Sequence, residues 1–237
     1  MPADAIVFDV DDTLYDLAEP YRAAYAEVFA GTYDLPVDAL FTKSRWYSDR
    51  ALDLLTAGKI SEEDHKVLRV QWTFADWGVE VSRADALRFQ AAYAAAQERI
   101  TPYPEAVEAL DACAAAGVPV GIISNGDAPH QRRKLHLLGL DKRVDERLVV
   151  VSGDYNVHKP ALVLFEAMEG LLGASGAGIW YVGDTYETDI VGAKRAGWSA
   201  IWVDVRGRAV PDVPERPDKV VHSPAQMRDA VFALLKT

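Results

Sequence analysis

The sequence predicts an α/β protein in which a doubly wound core, a parallel sheet with helices on both faces, carries an inserted α-helical domain. Three observations lead there. Short apolar runs recur along the chain, of the kind that forms strands buried on both faces. Segments with helical spacing alternate with them, the rhythm of βαβ units. One long stretch breaks that rhythm with helical patterns and no strand run.

Strand runs fall at 5–8, 118–123, 148–151, 179–182 and 200–203. Helical spacing covers 104–116, 128–138, 161–172 and 188–196, closed by Gly117, Gly139, Gly173 and Gly197, the residue that best ends a helix in the left-handed conformation. Pro160 suits a first helical position. The stretch 18–99 is rich in Ala, Leu, Trp and charged residues, with helix starts at Ser61 and Ser82 and breaks at Gly58 and Gly78. The expected domains are therefore a core of residues 1–17 and 100–237 and a helical insertion of residues 18–99. Residues 206–217, with Pro211, Pro214 and Pro217, read as a loop, followed by a short strand at Val220-Val221 and a helix from Pro224.

Totals set limits on function. At 237 residues the chain can hold a core domain and a smaller one. A formal charge of −11 argues against non-specific binding to nucleic acid or anionic lipid, both of which need clustered cations. Cys113 is the single cysteine, so no intramolecular disulfide or CxxC zinc spacing exists. The N-terminus has no signal-peptide pattern and no run reaches membrane-spanning length; a cytoplasmic, soluble protein is expected, as monomer or homodimer.

Chemistry concentrates at strand ends. Asp9 and Asp11 follow the first run, within Phe8-Asp9-Val10-Asp11-Asp12-Thr13-Leu14. At the carboxyl edge of a parallel sheet, where ligands bind, one carboxylate can attack phosphorus and the other can move protons. The pair alone suits a turn or helix cap equally well. Asp184 and Asp189 follow the fourth run and would join Asp9 in a set of hard oxygen ligands suited to Mg²⁺ if the two strands are neighbours. Ser124, Asn125 and Gly126 end the second run, offering a hydroxyl and main-chain N–H groups to phosphate oxygens. Lys159 precedes the helical run at 161–172, placed to project a point charge.

These four segments together resemble the haloacid dehalogenase superfamily, in order and over essentially the whole chain. Asp9-Val10-Asp11-Asp12-Thr13 matches its first motif, Ser124 its second, Lys159 its third, and Asp184 and Asp189 its fourth. The resemblance implies a Rossmann-like core and a cap domain inserted after the first motif, which closes over the site. It implies Asp9 as nucleophile and Mg²⁺ ligand. Asp11 becomes general acid/base, offering its carbonyl to the metal. Asp184 is then a ligand, and Asp189 orders the metal shell. Ser124, with Asn125 beside it, and Lys159 hold the phosphoryl group. Many members carry Gly where this chain has Asp12, and the dehalogenase branch lacks an acid at the position of Asp11. The expected function is a Mg²⁺-dependent phosphatase acting through a phosphoaspartate on a small phosphorylated metabolite: a nucleoside monophosphate, sugar phosphate or phosphoglycolate. The alternatives are a phosphomutase, a 2-haloacid dehalogenase, and a non-catalytic metabolite-binding module.

Tyr15, Arg22, Arg45 and Trp46 are the candidates for substrate specificity, and Tyr47, Arg50, Trp72 and Trp77 belong to the same aromatic set. His65, His130, His136, His158 and His222 form no metal pattern; His158 adjoins Lys159. Cys113 lies on the apolar face of its helix, a burial position.

Overall fold

The computed structural model describes residues 3–235. The chain divides into two compact units, one of Met1–Asp16 with Thr101–Thr237 and one of Leu17–Ile100. The first begins with β1 (Ala5–Phe8), all four residues buried.

The second unit consists of four helices: α1 (Glu19–Phe29), α2 (Val37–Thr56), α3 (Glu62–Ala75) and α4 (Arg83–Gln97). Ser61 caps α3 through a capping box with Asp64, and Ser82 accepts from the Asp85 N–H at the start of α4, satisfying donors that a helix leaves unpaired. The core of this unit is aromatic: Tyr21, Phe29, Phe74 and Phe89 are buried. Tyr21 meets Phe89 edge-on with centroids 4.9 Å apart, the geometry that ring quadrupoles favour.

The first unit resumes with α5 (Pro104–Ala116), β2 (Val120–Ser124), α6 (Ala128–Leu137), β3 (Val149–Val151), the short α7 (Ser152–Tyr155) and α8 (Leu162–Leu172). It ends with β4 (Ile179–Gly183), α9 (Val191–Arg195), β5 (Ser199–Val203), β6 (Lys219–Val221) and α10 (Pro224–Leu234). The sheet runs β3-β2-β1-β4-β5-β6, parallel throughout. Neighbouring Ala5–Phe8 and Ile179–Gly183 meet the condition on which the shared acidic site depended. Chain direction across the sheet reverses between these two strands, and such a switch point opens a crevice at the carboxyl ends. Val7, Ile123, Phe165, Tyr181, Trp198 and Trp202 are buried in one cluster on the sheet, each apolar side chain worth about 1.5–3 kcal/mol of burial.

Two helix starts differ from expectation. Ala161, not Lys159, is the N-cap of α8, so Pro160 precedes the helix. The Lys159 N–H is engaged by the Asn125 side chain, and the Ala161 N–H closes a turn onto the His158 carbonyl. The run at 188–196 begins with a π-helical turn, Tyr186–Ile190, before α9. The Val191 N–H donates to the Tyr186 carbonyl five residues back, the bond of a π turn, which is often found at functional sites, and the Asp189 carboxylate accepts from the Thr185 N–H at its start.

Candidate active site

Two strand ends, a π turn and a loop of the first unit deliver the charged groups. Asp9 follows β1, Asp184 follows β4, and Asp189 sits in the π turn beyond it. One carboxylate oxygen from each lies within 4.8 Å of the others, and all three residues are buried. Gly183 makes the approach possible, because a Cβ there would collide with the Asp189 carboxylate.

Lys159 is the cation inside this group. Its ammonium lies 2.6 Å from Asp9 Oδ1 and 2.7 Å from Asp189 Oδ1. It also reaches the Tyr181 hydroxyl at 2.9 Å and the Ile123 carbonyl at 3.0 Å. Tyr181 in turn donates to the Ile123 carbonyl at 3.0 Å. Burial disfavours the ammonium; Asp189 and Asp9 outweigh it and hold the Lys159 pKa well above its ordinary value.

Two cations, Lys159 and Arg208 beside Asp184, do not balance three carboxylates. Burial, opposed by Lys159 and reinforced by Asp189, Asp184 and Asp11, raises Asp9 well above the usual carboxylate range. Burial and Asp189, opposed by Arg208, push Asp184 up to about 7. The site therefore has a deficit of positive charge and a donor set of hard oxygens. A divalent cation with ligands at about 2.0–2.6 Å fits both properties.

The expected phosphate loop is more internally bonded than its sequence suggests. The Ser124 hydroxyl donates to Gln131 Oε1 at 3.2 Å, and Gln131 Nε2 donates to the Asn125 carbonyl at 3.1 Å. The Gly126 N–H, expected to face a ligand, donates instead to Ser152 Oγ at 2.9 Å. Asn125 turns its side-chain oxygen to the Lys159 N–H at 2.8 Å, so this side chain seats the lysine. His158 contacts Ser152 Oγ through Nδ1 at 3.2 Å.

Asp11 stands apart from the three clustered carboxylates. Lys134, in the last turn of α6, places its ammonium 2.6 Å from Asp11 Oδ1 and 2.9 Å from Oδ2. The Tyr15 hydroxyl donates to Oδ1 at 2.6 Å. Tyr15 thus contacts the motif itself. Arg22, Arg45 and Trp46 belong to the helical unit. There Arg22 pairs with Asp38 at 2.7 Å, Arg45 is exposed, and Trp46 is 53% exposed with the Lys43 ammonium 5.0 Å from its ring.

Asp12 takes a left-handed backbone, φ 57°, the conformation for which Gly carries no penalty. Its carboxylate receives Arg206 at 2.5 and 2.7 Å. Arg208 reaches Asp184 Oδ2 at 2.7 Å and the Asp184 carbonyl at 2.7 Å. Arg206 and Arg208 were hidden in what reads as a plain loop; the only signal was two arginines at a strand's carboxyl end. Lys134 was likewise one cation among several on a helix.

A family model described as haloacid dehalogenase-like hydrolase matches residues 3–197. The glyceraldehyde 3-phosphate phosphatase of Methanopyrus kandleri is 27% identical over 98% of both chains. The haloacetate dehalogenase H-2 of a Moraxella species is 25% identical over 98% of this chain and 97% of its own. Among solved structures, the L-2-haloacid dehalogenase of Xanthobacter autotrophicus superposes with a TM-score of 0.66 at 25% identity, covering 98% of this chain and 99% of that one. With a matching model across most of its length and a sheet whose strand ends gather the motif residues, the chain belongs to the haloacid dehalogenase-like hydrolases.

Proposed function

We propose that the chain is a Mg²⁺-dependent phosphatase that hydrolyses a small phosphorylated metabolite through a phosphoaspartate on Asp9. The observation that carries this reading is Asp11: a second carboxylate beside the nucleophile, held outside the Asp9–Asp184–Asp189 group by Lys134 and Tyr15. Displacing halide needs no proton donor to the leaving group. Displacing an alkoxide does.

In the proposed reaction the Asp9 carboxylate attacks phosphorus while Asp11, which enters this step as the carboxylic acid, gives its proton to the departing ester oxygen. Water then attacks the phosphoaspartate, Asp11 takes its proton, and inorganic phosphate leaves. Lys159 and Ser124 receive the phosphoryl oxygens, and the buried ammonium offsets charge in surroundings of low dielectric, where its effect is large. Asp9, Asp184 and the Asp11 carbonyl would hold Mg²⁺, with Asp189 ordering the shell. The metal supplies charge neutralisation and orientation of the phosphoryl group. Leaving-group selection is assigned to the helical unit, with Arg22, Arg45 and Trp46 as its candidate readers and Tyr15 beside the nucleophile motif.

The relatives include dehalogenases as well as phosphatases, and the phosphatases among them support a phosphate ester. Besides the triose phosphatase they include a ribulose-1,5-bisphosphate 5-phosphatase from Halopiger xanaduensis. The test is phosphate release from 4-nitrophenyl phosphate and a panel of sugar, triose and nucleoside phosphates, with Mg²⁺ and with chelator, beside halide release from 2-chloropropionate. Mg²⁺-dependent phosphate release supports the reading; halide release without phosphate release sinks it.

A further inference from the structure

We propose that Lys134, together with Tyr15, is the positioning device for the Asp11 carboxylate, fixing the direction in which it delivers and collects protons. The inference rests on the phosphatase reading and adds to it two residues and a task. Three contacts converge on a single side chain. Lys134 Nζ lies within hydrogen-bond distance of both Asp11 oxygens, at 2.6 and 2.9 Å, and the Tyr15 hydroxyl lies 2.6 Å from Oδ1. The ammonium is also 5.8 Å from the Tyr15 ring centroid, so each of the three groups touches the other two. An aspartate has two side-chain torsions. A cation spanning both oxygens and a donor on one of them restrict both.

The placement argues against a bland role. A lysine in the last turn of a helix is favourable near the helix's negative end, but that benefit leaves the ammonium free to stay in water, where lysine ordinarily keeps it. Here Lys134 is 7% exposed. Burying an ammonium is costly unless it is paired, and Asp11 is its ion-pair partner. Tyr15 is buried as well. The same helix carries Gln131, which holds Ser124, one turn before Lys134. One short helix thus braces a phosphate-contacting hydroxyl and aims the proton-transfer group.

Positioning and mere structure differ in one measurable respect. A misdirected Asp11 fails most where the leaving oxygen most needs a proton. The test uses 2,4-dinitrophenyl, 4-nitrophenyl and phenyl phosphate, in rising order of that need, and reads kcat/KM, which stops at formation of the phosphoaspartate. Lys134→Met should lower kcat/KM for phenyl phosphate at least about tenfold more than for the dinitrophenyl ester, within the 10²–10⁴ typical of general acid–base help. Lys134→Arg should recover part of the difference, and Tyr15→Phe should show the same slope more weakly. Should Lys134→Met lose its native circular-dichroism spectrum, Tyr15→Phe and Lys134→Arg carry the same comparison. Equal losses on all three esters, with wild-type turnover intact, overturn this inference alone. A wild-type enzyme inactive on every ester overturns the phosphatase reading and this inference with it.

Discussion

The ammonium of Lys159 sits 2.6 Å from Asp9 Oδ1, both side chains almost wholly buried, in a pair separated by 150 residues of sequence. The two ends of this pair have opposite effects on stability. Asp9 is a carboxylate whose charge the fold disfavours, so Asp9→Asn should abolish phosphate release while raising the melting temperature of the metal-free protein. Lys159→Met leaves the neighbouring carboxylates without their cation. Breaking a buried pair from one side typically costs about 3–5 kcal/mol, so this variant should melt well below wild type. Calorimetry of both checks the signs; a fall in both would count against the charge deficit.

Metal and pH should act on stability together. The folded-state pKa of Asp184 is raised to about 7 from an ordinary value of 3.8, so the folded protein binds more protons than the unfolded chain between those values. Its contribution is therefore fully present below about pH 4 and lost as pH rises through about 7. In chelator, the Asp184 contribution should fall over this window. Added Mg²⁺ should raise the melting temperature more at pH 8 than at pH 5.5, because the ionised cluster is the form that binds it. An equal rise at both values contradicts the prediction.

Gly183→Ala tests a contact. The added methyl would occupy the space of the Asp189 carboxylate, which must then leave Lys159 and the Thr185 N–H. Phosphatase activity should drop by at least about tenfold, as expected when a misplaced group spoils alignment. Titration with Mg²⁺ should show weakened binding.

Cys113 offers a test of packing alone. It is fully buried in α5, and burial pushes its thiol up to about 12. At pH 8 it should react with a thiol reagent such as Ellman's only as the chain unfolds, since the thiolate is the reactive form. Rapid labelling of the native protein would contradict that burial.

Asp12→Ala removes the carboxylate that receives Arg206 and, at 3.5 Å, Arg208. Asp12 is buried and Arg206 largely so, and losing one side of such a pair should cost roughly 3 kcal/mol, partly offset because Arg206 also contacts Asp16 at 3.1 Å. Urea unfolding measures it.

Much of the catalytic unit was legible because its signals are local and repeated. The strand ending at Phe8 and the one before Asp184 are unbroken apolar runs, and a parallel sheet brings such carboxyl ends to one edge whatever the loops do. Ser61 and Ser82 announced two helix starts for an equally local reason, a hydroxyl two to three residues before unpaired N–H groups. What escaped is pairing at long range. Lys134 meets Asp11 across 123 residues, and Arg206 meets Asp12 across 194; no periodicity distinguishes these cations from solvated ones. The Gly126 N–H was misread because its acceptor, Ser152, lies on another strand's end.

The central place of β1 sets an order for synthesis. Translation produces this strand before either of its neighbours, β2, beginning at Val120, and β4, beginning at Ile179. Between β1 and β2 the ribosome delivers Leu17–Ile100, a compact helical unit that is complete before β2 emerges. The segment bearing the nucleophile must wait, apolar and unpaired, until β2 has followed the whole helical unit. Phe8 and Ile6 are thus the residues through which a nascent chain is most exposed to chaperone capture or aggregation.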